Sequence, residues 1–245
     1  MAFHGRYLSF LTLFLLHVST TSADSSKPEK KFADIQIAVT ADESFLPPSA
    51  FPVKMDPEVC GTTRAPQSLI LNSERGIKNV VVWITGDIQD IWKAEENADR
   101  TEIITEEGCE FSPRMTIIPQ GGSVTFLNRD KILNGIRAKG TQNPPSYRAH
   151  PPNLRQIQIK FEKPEIVPIV CDFHPWMKSF VIVAPHHFYG ITNKDGVAQL
   201  KKVPEGNFKV HLWHETLGYK EIEQPLQSAG KSLRINWKWT KPEVE

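Results

Sequence analysis

After residue 23 the chain carries no sustained apolar repeat at the 3.6-residue spacing of a helix; short apolar stretches at two-residue spacing recur instead, each closed by turn-forming residues. A helix needs the first pattern to bury a stripe and a strand needs the second to bury a face, so the chain is confined to an all-β fold. Ile35, Ile37 and Val39 within Phe32 to Thr40 set the pattern. Ser68 to Asn72 and Asn79 to Thr85 flank the turn Ser73-Glu74-Arg75-Gly76, and the polar, acidic stretch from Asp87 to Glu107 reads as loop. Strands are predicted at Arg114 to Ile118, Ser123 to Asn128, Gln156 to Phe161, Ile166 to Cys171 and Ser179 to Ala184, with a proline-rich loop from Gly140 to Pro152 among them. Gly190 to Asn193, Val197 to Leu200, Asn207 to Trp213 and Ser232 to Lys238 complete the set. Many short strands with regular turns indicate a Greek-key sandwich or barrel.

The first residues follow a different rule. Arg6 precedes an apolar run from Tyr7 to Val18 and a small-residue exit at Thr21-Ser22-Ala23. That order matches a secretory signal peptide, and the run is shorter than the roughly 20 residues a membrane span needs. Residues 1–23 are therefore expected to be removed, leaving a periplasmic or secreted protein with no membrane span. Lys and Arg number 29 against 28 Asp and Glu. With no basic run to neutralise a row of phosphates, nucleic acid is not an expected partner.

Export changes the meaning of the three cysteines, because an oxidising compartment favours pairing and leaves one over. Cys60 in Asp56-Pro57-Glu58-Val59-Cys60-Gly61 and Cys109 in Glu107-Gly108-Cys109 both sit at loop-to-strand edges, and by elimination they form the disulfide. Cys171 stands in a segment with its own chemistry: Val167 to Val170, then Cys171-Asp172-Phe173-His174-Pro175-Trp176-Met177, then Lys178 to Val183. A buried strand delivers a thiolate, a tight loop adds an imidazole and a thioether, and a second buried strand leaves. Thiolate and imidazole are strong copper ligands and thioether a long axial one, the set of a mononuclear blue centre. Taken singly, Cys171 could equally be a small core residue, His174 a cap and Met177 a filler.

The Cys-x-x-His-Pro-Trp-Met loop, Cys109-Glu110-Phe111-Ser112-Pro113, and Gly121-Gly122-Ser123-Val124-Thr125-Phe126-Leu127-Asn128-Arg129-Asp130 together resemble a cupredoxin domain over about Gly108 to Ala184. The ligand loop is similar to the short loop of amicyanin, and the whole to plastocyanin-like proteins labelled methylamine-utilisation proteins. The resemblance implies a cupredoxin-like β-sandwich, one copper ion, and a redox or copper-handling protein partner. It implies His174 as a ligand facing solvent near that partner, with Trp176 in a docking patch or in the core. It also implies a first histidine a few residues after the Asn-x-Asp turn, where this chain has Asn134. An amide oxygen is a poor copper donor, so three outcomes stay open: His150 moves in, the two sulfurs and one imidazole hold Cu(I), or no metal is bound and the domain is a scaffold.

Tyr189 to Leu200 and Val203 to Val210 resemble the hairpin of carboxypeptidase regulatory-like sandwiches, and Gly76 to Ile84 an opening strand of the same sandwich. The expected organisation is thus 1–23 leader, 24–107 the first part of an accessory β-unit, 108–184 the cupredoxin domain and 185–245 the rest of the accessory unit. His186-His187 and Trp213-His214-Glu215 invite a second metal, yet the latter lacks a second histidine at protease spacing and sits on a strand. His214 reads as structural, and His186 as the better candidate for lying near copper. No nucleophile with a base, phosphate loop or paired carboxylates points to an enzyme.

Overall fold

The computed structural model describes residues 1–2, 32–86, 100–154, 156–226 and 233–241. The expected leader therefore lies almost wholly outside the described residues, as does most of the acidic stretch at 87–99.

Among the described residues, four main sheets stack face to face. The outermost has Phe32–Ala41 between Val197–Pro204, antiparallel to it, and Leu233–Trp239, parallel to it. Next comes Tyr189–Ile191, Val81–Gly86, Gly206–His214 and Gly218–Leu226 in that order. Ile35, Ile37, Val82, Ile84, Leu200, Val210, Leu212 and Trp239 fill the layer between these two sheets. The third sheet runs Ser146–His150, Asn134–Ala138, Glu165–Val170, Lys178–Ala184, Met115–Pro119, and the fourth runs Gln156–Lys160, Ser123–Asn128, Thr101–Glu106, Phe111–Ser112. Ile104, Val124, Phe126, Ile136, Val167, Ile169, Val181 and Val183 pack between them.

Strands at the centre of this stack are apolar at both parities because both faces are covered. Val82 and Ile84 belong to one core while Val81 and Trp83 face the junction; Val181 and Val183 belong to another while Phe180 and Ile182 face the same junction. Outer strands show one buried face only. Gln156–Lys160, at a sheet edge, alternates exposed residues with partly buried Ile157 and Ile159. The all-β expectation holds. Thr101–Glu106, N-terminal of the expected 108–184 segment, pairs in parallel with Ser123–Asn128. Ser146–His150, expected as loop, pairs antiparallel with Asn134–Ala138. Ser68 to Asn72 forms only the single bridge Leu71 to Ile77, since the Asn72 side chain turns inward to cap Gly76 N–H at 2.8 Å.

The junction between the second and third sheets holds His214 near Arg114, and His186 against Tyr189 with ring centroids 4.8 Å apart. Burial, with the Arg114 charge, lowers the His214 pKa from 6.5 to about 4; burial, with His187, does the same to His186. Both rings are neutral in the folded protein, so below pH 6.5 the unfolded chain binds protons that the folded one does not. The stability they contribute is complete above pH 6.5 and is lost as pH falls through 4, on the order of 3 kcal/mol each at most. Thermal unfolding is expected to show a midpoint that drops across this range, with a shallower drop in His214→Phe; equal slopes would contradict the assignment.

Candidate metal centre

Glu165–Val170 delivers Cys171 to one end of the sandwich formed by the third and fourth sheets, and Lys178–Ala184 carries the chain away. Between them Met177 N–H donates to the His174 carbonyl at 2.9 Å and Cys171 N–H to the Met177 carbonyl at 3.2 Å. The loop is thereby closed on itself, and Cys171, His174 and Met177 are 4%, 0% and 1% exposed. Cys171 Sγ accepts the Gly135 N–H at 3.3 Å and lies 3.6 Å from His174 Nδ1. Thiolate and imidazole ligands at roughly 2.3 and 2.0 Å from a tetrahedral ion stand about 3.6 Å apart, so this pair is spaced to share one.

The other ring nitrogen of His174 meets Asp56 Oδ2 at 2.9 Å. A carboxylate on one imidazole nitrogen fixes the tautomer that leaves the second free as a metal donor. Burial pulls the His174 pKa down, but the bonds to Cys171 and Asp56 outweigh it and the net shift is upward.

Asn134 is fully buried on the facing strand, one residue before Gly135. Its Nδ2 donates to Asp130 Oδ2 at 3.1 Å and to Asn128 Oδ1 at 3.4 Å, while its Oδ1 has no partner. Directly opposite in register stands His150, fully buried, with Nδ1 2.7 Å from Glu106 Oε1 and Nε2 unpartnered. Burial raises the Glu106 pKa, and the bond to His150 partly offsets this. His150 therefore shares one feature with His174, a ring nitrogen on a carboxylate, but its second nitrogen is unpartnered where that of His174 meets Cys171 Sγ.

The structure brings Cys171 and His174 together but gathers neither His150 nor His186 with them. Among the described residues, the one set of three Cys, His, Asp or Glu side chains with ligand atoms within 4.8 Å of one another is Cys60, Cys109 and His174. His150 is at the same end of the sandwich but outside that distance from the Cys171 and His174 pair. His186 sits in the junction between the sandwiches against Phe188 and Tyr189, apart from Cys171. His214 is held there by Thr216 N–H at 3.3 Å, and the His187 ring packs on Phe188.

The expectation that His174 faces solvent is corrected. Its ring is covered by the segment from Phe51 to Arg64, which the Cys60–Cys109 disulfide staples to the start of Phe111–Ser112. Arg64 adds bonds to Glu110 and to the Gly108 carbonyl. Trp176 belongs to this cover: its Nε1 donates to the Cys109 carbonyl at 3.1 Å, and it packs on Phe51 and His174. Sequence reasoning missed two residues, Asp56 and Glu106. The Cys60–Cys109 pairing could have placed Asp56 near the ligand loop, and the Ile104, Glu106 alternation could have turned Glu106 inward.

No protein-family model matches the chain, and no curated protein matches it. Among the solved structures that resemble it are a purple cupredoxin, several amicyanin variants and a Cu-containing nitrite reductase. A purple cupredoxin from Nitrosopumilus maritimus is 23% identical over 34% of this chain and 99% of its own, with a TM-score of 0.28. An amicyanin variant in the Cu(I) state is 17% identical over 38% and 90%, with a TM-score of 0.31. A Cu-containing nitrite reductase from Thermus scotoductus SA-01 is 22% identical over 35% of this chain and only 22% of its own length, with a TM-score of 0.31.

Proposed function

We propose that this chain is an exported copper-binding protein that holds one ion through Cys171, His174 and Met177, prefers Cu(I), and carries copper to a copper-handling partner. The observation that supports it most is the buried 3.6 Å approach of Cys171 Sγ to His174 Nδ1, braced by Gly135 N–H on the sulfur and Asp56 on the ring. Two sulfurs and one imidazole form a soft donor set, which suits monovalent copper. Copper would supply a thiolate-linked one-electron centre when bound. The protein's own residues do the rest: Gly135 N–H stabilises negative charge on Cys171, Asp56 orients His174, and Pro175 stiffens the loop.

Carriage is favoured over rapid electron transfer because no part of the His174 ring reaches solvent beneath its cover. His150, oriented by Glu106 and spare at Nε2, is the residue placed to add a second imidazole after a local shift. A metal-free scaffold is the second reading, and one observation favours it: the Asn134 amide is tied into the Asn128 to Asp130 turn instead of offering a ligand.

Anaerobic titration with the Cu(I)–bicinchoninate complex, without thiol or phosphine so that the disulfide stays intact, separates these readings. One Cu(I) per chain is expected for the wild type and none for Cys171→Ser. Failure of the wild type to withdraw copper from the chelator would leave the scaffold reading.

A further inference from the structure

The cover over His174 places two more sulfurs beside it. Cys60 and Cys109 are 4% and 0% exposed, their Cα atoms are 5.2 Å apart, and both sulfurs lie within 4.8 Å of a His174 ring nitrogen. Two thiolates and an imidazole at this separation form a three-coordinate soft-metal set once the sulfurs are not bonded to each other. We propose that reduction of the Cys60–Cys109 disulfide creates a second copper site, in which Cys60, Cys109 and His174 bind one Cu(I).

The chemistry balances with a dithiol reductant. Its two sulfurs give up two electrons and two protons and become a disulfide; the Cys60–Cys109 bond breaks and each sulfur takes a proton. Binding of Cu(I) then displaces both protons, because thiolate and not thiol is the ligand. The same local chain segment supplies two parts of this device. Pro57–Cys60 is a single helical turn whose preceding residue, Asp56, holds His174 while its last residue, Cys60, makes the disulfide. Cys109 is fixed independently by its N–H to Asp130 Oδ2 at 3.0 Å and its carbonyl to Trp176. Reduction therefore frees two thiols that the fold already holds near the imidazole, and a metal between them would replace the covalent staple over the ligand loop.

The proposal needs His174 but not Cys171, so it is tested in the full-length Cys171→Ser variant. A phosphine reduces the disulfide without competing as a thiol, taking its oxygen from water. After its removal the protein is titrated anaerobically with Cu(I)–bicinchoninate. The oxidised variant is expected to bind no Cu(I) and the reduced variant one per chain. Copper-edge X-ray absorption of the loaded form should show two sulfurs and one imidazole nitrogen. Adding His174→Ala should weaken Cu(I) binding by about tenfold or more, the scale at which even outer-shell substitutions act. No Cu(I) taken up after reduction, a sulfur-only shell, or unchanged affinity in the His174→Ala background would each overturn the proposal. A wild-type protein that binds no Cu(I) with its disulfide intact, alongside a positive result here, would count against the Cys171 site alone.

Discussion

Replacing Asn134 with histidine is expected to give the protein an intense visible absorption band when it is loaded with Cu(II). Position 134 is buried at the start of Asn134–Ala138, and the next residue, Gly135, already donates its N–H to Cys171 Sγ. An imidazole there would enter the same end of the sandwich as Cys171 and His174 and convert a soft set suited to Cu(I) into two imidazoles and a thiolate, a set that also accepts Cu(II). The band reports thiolate-to-copper charge transfer and so requires Cys171; it should vanish in Asn134→His combined with Cys171→Ser. The substitution also removes the bonds to Asp130 and Asn128, which are neutral pairs or single charge-assisted contacts costing roughly 1 to 3 kcal/mol when broken. A folded Asn134→His protein that stays colourless with Cu(II) would show that position 134 does not address the Cys171 sulfur.

Changing Glu215 to Gln is expected to destabilise the fold by about 3 to 5 kcal/mol, the cost of leaving one partner of a buried ion pair uncompensated. Arg114 and Glu215 make two bonds, at 2.5 and 2.8 Å, with side chains 9% and 4% exposed. Arg114 precedes Met115–Pro119 in one sandwich and Glu215 follows Gly206–His214 in the other, so the pair fastens the two sandwiches across their junction. Arg114 also donates to the Lys178 carbonyl at 3.0 Å, at the root of the strand leaving Met177. Chemical denaturation of Glu215→Gln measures the loss directly. Replacing both partners by apolar residues, Arg114→Met with Glu215→Leu, should recover much of it, because neither charge is then buried alone. A loss below about 1 kcal/mol in the single variant would mean the pair is solvated in solution and does not join the sandwiches.

The strands that carry the Cys171 loop were legible because their apolar residues are continuous and their turns are marked. Phe180 to Val183 face two cores at once and Val167 and Ile169 are buried in one of them, so neither run holds a polar residue to confuse the pattern. Ser123–Asn128 was equally plain, with Val124 and Phe126 inward between a glycine turn and an asparagine. Thr101–Glu106 was hidden by its composition. Its inward residue Glu106 is charged, and only its partner His150 on another strand makes that burial intelligible. Ser146–His150 was hidden in the same way, since three of its five side chains are exposed and its proline-rich flanks read as loop. Two long-range pairings that periodicity cannot encode therefore decide the site's second layer: Glu106 with His150 and Asp56 with His174. The disulfide was legible by counting, yet its consequence was not. It closes the very face of His174 that a strand-by-strand reading leaves open to solvent.

X-ray absorption at the copper edge, on wild-type protein holding one Cu(I) with the Cys60–Cys109 disulfide intact, tests the central claim most directly. The expected first shell contains sulfur together with imidazole nitrogen, and the sulfur contribution falls in Cys171→Ser. A shell of nitrogen and oxygen alone, or one unchanged by Cys171→Ser, would contradict copper binding by Cys171 and His174.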